Sequence, residues 1–355
     1  ATTMMPRMSL AVVVGVIAPA LLVAYLDSAQ LAAHGAQERR RFTVMDLGTL
    51  PTGSFSTANG INNRGQIVGE SNTSEHSARA VLWEHGRMTD LGTLPDGSFS
   101  TATAINNKGQ VVGYSETTAS EVHAVLWHRG SITDLGTLGA LRSLAYGIND
   151  RGQVVGYTVV TDIGNTRAFI WEGGVMTDLG TLLGGNDFVD SIAWAINDRG
   201  QVVGSSSTPS GVQHAFLWED GVVTDLGTLG GLFSAARAIN NRGQIVGVAE
   251  DANGDGRAVL WENGTITDLG TLGGRSSHAR AINDRVQIVG DSMTAEGFLR
   301  AFLWEDGQMI ELPARFPGPD EFVFGFDINK HGDVVGGDNH GVLWTDRRRQ
   351  VDRDR

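Results

Sequence analysis

Seven times the chain repeats one phrase, Ile-Asn-x-x-Gly-x-[Ile/Val]-Val-Gly, and no other feature of its 355 residues constrains the fold as strongly. The copies begin at Ile61, Ile105, Ile148, Ile196, Ile239, Ile282 and Ile328, 43 to 48 residues apart. Each is followed by a [Leu/Ile]-Trp pair that starts 15 to 22 residues after its isoleucine. A third phrase, Asp-Leu-Gly-Thr-Leu, opens at Asp46, Asp90, Asp134, Asp178, Asp225 and Asp268 and decays to Glu311-Leu312-Pro313. A fixed period of that size belongs to stacked or radial supersecondary units, each unable to bury its apolar face alone.

One unit parses into four short strands. Ser56 to Asn62 is the first, and Asn62-Asn63-Arg64-Gly65 is a turn, with asparagine initiating it and glycine supplying positive φ. Gln66 to Gly69 is the second strand, followed by a loop of variable length. Arg79 to Trp83 is the third, Glu84-His85-Gly86 a tight turn, and Met88 to Gly92 the fourth. Four strands in about 40–45 residues is the spacing of a propeller blade. The two ends of the chain are complementary. The last unit supplies three strands and no Asp-Leu-Gly strand, whereas an orphan strand of that kind, Phe42 to Gly48, precedes the first unit. Pairing the two removes an exposed sheet edge. The expected fold is therefore all-β, a seven-bladed propeller of four-stranded blades over residues 37–345, its ring closed by Phe42 to Gly48.

The combined pattern resembles the HAF-repeat family, named for the His-Ala-Phe triplet found here as His214-Ala215-Phe216. The likeness covers Phe42 to Trp344. It implies an extracellular bacterial repeat protein and brings no catalytic residues with it. This chain departs from the pattern at Val286, where the other turns have glycine, and at Glu311-Leu312-Pro313.

Residues 1–36 differ in kind. Arg7 precedes an uncharged run over residues 9–26, then small and polar residues with Ala33-His34-Gly35 as a cleavage site. That order is expected of a signal peptide, with an uncleaved membrane anchor as the alternative. The chain has no cysteine, which excludes a lipid anchor on that residue and any disulfide. A formal net charge of −13 argues against a nucleic-acid partner, since phosphates call for basic surface. Residues 346–355 are almost all charged and are expected to be a disordered tail. The chain is expected to be a monomer and to be secreted, extracellular or held at the cell envelope.

Residues common to all blades are expected to be packing. The Trp column (Trp83, Trp127, Trp171, Trp218, Trp261, Trp304, Trp344) should fill the space between blades. A cationic column (Arg79, His123, Arg167, His214, Arg257, Arg300, His340) should meet the Asp of Asp-Leu-Gly on the adjacent strand; its four arginines exclude a metal ring. Variation is the better guide to function. The second-to-third loops (71–78, 158–166, 205–213 and 249–256 among them) and the fourth-to-first loops (51–55, 95–99, 183–190, 314–321) share one face and differ between blades. In the first strands one column also varies: Asn59, Thr103, Tyr146, Trp194, Arg237, Arg280, Phe326. Tyr146, Trp194, Arg237 and Arg280 join aromatic faces to cations, suiting an anionic or sugar-like ligand, or simply filling the taper of the channel.

No cofactor is required by the pattern. One stretch, Asp251-Ala252-Asn253-Gly254-Asp255-Gly256, matches the start of a calcium loop, with Asp251, Asn253 and Asp255 as ligands and Glu262 at the twelfth place; a polar hairpin turn reads the same residues. Nucleophile-elbow, zinc-helix, phosphate-loop and dinucleotide motifs are absent. Three functions stay open: an exported scaffold binding an extracellular protein or glycan, an extracellular carbohydrate-active hydrolase or lyase working at the channel mouth, or a purely structural role in a cell-surface array. The second requires a non-repeated acid there, for which Asp187, Asp190, Asp320, Glu321 and Asp327 are candidates.

Overall fold

The computed structural model describes residues 41–348 apart from 74–76, 118–120, 161–164, 183–189, 316–321 and 338. Its described residues form seven four-stranded antiparallel sheets. The first blade is Ser56–Ile61, Ile67–Asn72, Ala78–Glu84 and Arg87–Asp90, close to the parse above. First strands of neighbouring blades contact each other all round the ring, including the first blade with the last. They therefore line the channel, and the short, exposed fourth strands form the outer rim.

The ring closes as expected. Phe42–Asp46 pairs with Gly341–Asp346, Phe42 opposite Asp346 and Asp46 opposite Val342. Phe42 is buried with Leu312, Val342 and Trp344. Arg41 straddles the seam, its Nε donating to Asp346 Oδ2 at 2.5 Å and its Nη2 to Glu305 Oε2 at 2.8 Å. Asp346 thus ends a strand and is buried, instead of opening the charged tail; opposite-charge pairing with Arg41 makes its burial affordable.

Burial lies between blades. Each of seven core clusters joins the Trp of one blade to the second residue of its predecessor's [Ile/Val]-Val pair, and six of them also to a third-strand Ala there, as with Trp127 against Val68 and Ala80. Trp83 closes the series by packing with Val335 and Leu343 of the last blade. The indole N–H of Trp83, Trp261 and Trp344 donates to a carbonyl in the preceding blade's Asp-Leu-Gly segment or its Leu-Pro equivalent, at 2.8–3.0 Å. The Trp column is the inter-blade filler that its repetition implied.

The Asn of each Ile-Asn turn adds a polar ring. Asn62 Oδ1 accepts the N–H of Arg64 and Gln66, while its Nδ2 donates to Gln66 Oε1 and to the carbonyl of Asn106 in the next blade. The inter-blade bond repeats from Asn106, Asn149, Asn197, Asn240 and Asn283, and Asn329 returns to Asn62. All seven carboxamides are buried.

Two further columns stitch the outside. Ser56, Ser100, Ser143, Ser191, Ser234 and Ser277 are fully buried, and each accepts an N–H from the third strand of the preceding blade. The expected cation–carboxylate pairs form in every blade: Arg79–Asp90, His123–Asp134, Arg167–Asp178, His214–Asp225, Arg257–Asp268, Arg300–Glu311 and, across the seam, His340–Asp46. The degenerate Glu311 keeps the pair at 3.8 Å by its longer side chain. Most of these carboxylates are well exposed to water, so each pair contributes little.

Two mutations check this account by urea unfolding. Phe42→Ala should cost about 3–5 kcal/mol, because it opens a cavity at the seam, whereas His340→Ala should cost less than about 1 kcal/mol. Val286 is held at φ +62° where other blades have glycine. A β-branched residue is strained there, so Val286→Gly should stabilise the protein by about 1 kcal/mol.

Candidate binding site in the channel

Each Val-Val-Gly phrase ends on a glycine pressed against the first strand. A Cβ on Gly69, Gly113, Gly156, Gly204, Gly247, Gly290 or Gly336 would lie 1.9–2.0 Å from a first-strand carbonyl oxygen. That close approach accompanies a β-bulge in every first strand: Ala58/Gly60, Ala102/Ala104, Ala145/Gly147, Ala193/Ala195, Ala236/Ala238, Ala279/Ala281 and Gly325/Asp327. The extra residue in each is a member of the variable column, from Asn59 to Phe326. A bulge locally re-aims a side chain. Here all seven bulge residues wall one cavity of about 380 Å³ in the channel.

The predicted quartet is brought together. Tyr146 meets Trp194 edge-on, with ring centroids 4.7 Å apart, and stacks on Tyr157 at 5.7 Å. The Arg237 guanidinium lies over Trp194 at 4.2 Å. Arg280 lies near Phe324 and Phe326, and its Nε donates to Asp291 Oδ1 at 2.5 Å. Part of the aromatic and cationic surface is thus spent within the quartet and its neighbours. Burial, then the neighbouring Tyr157, pushes the Tyr146 phenol above its ordinary range, so it is a neutral donor. Burial and the like charge of Arg280 lower the Arg237 pKa. Burial alone would raise Asp291, but the His278 hydrogen bond and the Arg280 charge outweigh it and hold the carboxylate below its usual value.

A second variable column was not singled out in the sequence. The residue after each Val-Val-Gly (Glu70, Tyr114, Tyr157, Ser205, Val248, Asp291, Gly337) faces a first-strand partner across the ladder. Glu70 and Tyr114 line the same cavity. The signal was available as a second position of disagreement between the copies. The opposite end of the channel is uniform, a cavity of about 230 Å³ walled by the seven Ile-Asn-[Asn/Asp/Lys] turns. Their second side chains also link blades, as when Asn107 N–H donates to Asp150 Oδ1.

The candidate acids are placed differently. Asp190 accepts the N–H of Thr166 and caps a loop. Asp187, Asp320 and Glu321 fall outside the described residues. Asp327 occupies the small-residue position next to the bulge, where other blades have Gly or Ala, and accepts the N–H of Ile61 and of Ile328, both at 2.8 Å. The calcium-like stretch forms a tight turn in which Asp251 Oδ1 accepts the N–H of Asn253 and Asp255. Arg275 pairs with Asp255 at 3.1 Å, bringing a positive charge to the oxygens a cation would use. Glu262, the twelfth residue, instead accepts from Gln244 Nε2 within the repeat network. These residues form a hairpin turn, the alternative reading of the same stretch.

No family model matches the chain, and no curated protein matches it. Solved structures do. The β-propeller domain of a trilobed protease from Pyrococcus furiosus, described as having an open velcro topology, superposes with a TM-score of 0.52 at 13% identity, covering 83% of this chain and 94% of that one. A streptogramin B lyase gives 0.50 at 12% identity, over 87% of this chain and 99% of that one. TolB from Acinetobacter baumannii gives 0.46 at 12% identity; 71% of this chain aligns and spans 64% of that one. At these identities the likeness is one of fold, and the protease domain agrees with a β-propeller.

Asp327 provides a pH test of the channel wall. Burial pushes its pKa up to about 6 from 3.8, against the two backbone hydrogen bonds. A raised carboxyl pKa favours the protonated fold, so that stabilisation is complete below 3.8 and lost as pH rises through about 6. The wild type should therefore lose about 1–3 kcal/mol of stability as pH rises from roughly 4 to 7, and Asp327→Ala, which carries the residue that most other blades have there, should lose less over the same range. Paired unfolding curves across that range check it.

Proposed function

We propose that the chain is an exported binding scaffold whose ligand sits at the varied end of the channel. One observation carries this reading: the first-strand column that differs from blade to blade walls a single cavity, whereas the repeated residues are spent on joining blades. The ligand is an extracellular glycan or protein segment that presents an anionic group to Arg237 and Arg280 beside the Tyr146–Trp194 wall. Export is supported by the uncharged run over residues 9–26 and by the resemblance to HAF-repeat proteins. That run lies outside the described residues. Binding is favoured over catalysis by the state of the channel carboxylates. Glu70 accepts from Thr101, and both oxygens of Asp291 have partners, so among the described residues no pair stands apart as acid and base.

The full chain, labelled and applied to an array of acidic and neutral glycans, tests the reading. Binding of acidic glycans should weaken at least tenfold when Tyr146, Trp194 and Arg237 are each changed to alanine, with far-UV circular dichroism unchanged. Binding that ignores all three substitutions would remove the channel as the site.

A further inference from the structure

Arg237 is set apart from the other cations of the channel. One face of its guanidinium lies on Trp194, and it has no hydrogen bond or ion pair among the described residues. The neighbouring carboxylate is already divided: Asp291 Oδ2 faces His278 Nδ1 at 2.9 Å and Oδ1 accepts from Arg280 Nε. Asp291 is 1% exposed, so its charge is committed where it stands. Arg280 and His278 thus share the Asp291 carboxylate, and Arg237 has no paired anion among the described residues, in a protein of net charge −13. A half-buried cation without a partner is costly unless something else supplies one.

The geometry also shows where that partner would lie. A second cavity, of about 370 Å³, runs between the fifth and sixth blades past Phe233, Val248 and His278. It shares two lining residues with the channel cavity, Arg237 and Arg280. These two blades carry the longest first strands, Gly230–Ile239 and Gly273–Ile282, ten residues each against five to seven elsewhere. At the groove's other end the Glu250 carboxylate accepts the Leu232 N–H, so negative charge there repels a second anion.

We propose that Arg237 and Arg280 form an oxyanion seat where the two cavities meet, holding a carboxylate or phosphate group from which the rest of the ligand runs into the channel or the groove. Arg237, held over Trp194, has the forked N–H donors that suit bidentate contact with such a group. The inference rests on the binding reading above, yet its test does not need the natural ligand.

Thermal melting of the full chain is followed with added inorganic phosphate or acetate, against chloride at matched ionic strength. At least one oxyanion should raise the melting temperature beyond chloride, and its apparent Kd should weaken at least tenfold in Arg237→Gln. Phosphate alone acting would assign a phosphate group, acetate alone a carboxylate, and both acting would support a seat that takes either. Arg237→Gln breaks no hydrogen bond among the described residues and should fold, and Arg237→Lys should keep a reduced response. No stabilisation beyond chloride, or the same stabilisation in Arg237→Gln, overturns the seat. Oxyanion binding without glycan binding would keep the seat and remove the glycan reading. Glycan binding indifferent to Arg237→Gln would do the reverse.

Discussion

The buried carboxamide at the head of each turn holds this ring together. It stabilises its own turn through two accepted N–H groups and grips the carbonyl of the next blade through one donated bond, and Asn329 returns that bond to Asn62. A single blade has nothing to bury its apolar face against; the carboxamides set neighbours at the spacing at which the Trp of one fills against the Val-Val of the other. Each such bond is worth only about 1 kcal/mol net. Their weight lies in being satisfied together, since a buried amide left unpaired costs more than a paired one gains.

With spacing set, the rest of the molecule can diverge. The Val-Val-Gly glycine lets the second strand crowd the first, and the bulge it permits turns one residue per blade into the channel. That residue is relieved of ladder pairing, so its identity can change without breaking the sheet. One end of the channel accordingly keeps the same side chains in nearly every blade, while the other holds Asn59, Thr103, Tyr146, Trp194, Arg237, Arg280 and Phe326. Stability and specificity are thus separated along one axis of the same strand. Asp327 is the exception, a carboxyl in the constant column at the seam.

Much of this was legible in the chain because repetition reveals registers that one copy would hide. The missing fourth strand and the orphan at Phe42 located the seam, and the Arg/His column opposite Asp-Leu-Gly gave the outer pairs, down to His340 with Asp46. The variable column was found by its disagreement alone. Its partners were not: Asp291 and Tyr157 lie on the second strand, and nothing in linear spacing says that they reach Arg280 and Tyr146. The buried serine column gives no such signal in the chain, because its role is to bond to a different blade. Asp346 read as part of a charged tail until Arg41 was seen across the seam.

The sequence by itself determined the number of blades, the four-stranded unit, the closure and the columns that face water or core, because these follow from period, alternation and turn chemistry. Only the tertiary structure decided which charges in the channel are matched. Around Arg237 that depends on three blades at once: Trp194 from the fourth lies beneath it, and the sixth brings Arg280 near while giving both oxygens of Asp291 to its own side chains. Charge balance at a point is a sum over groups distant in sequence, and the folded ring is what brings those groups together.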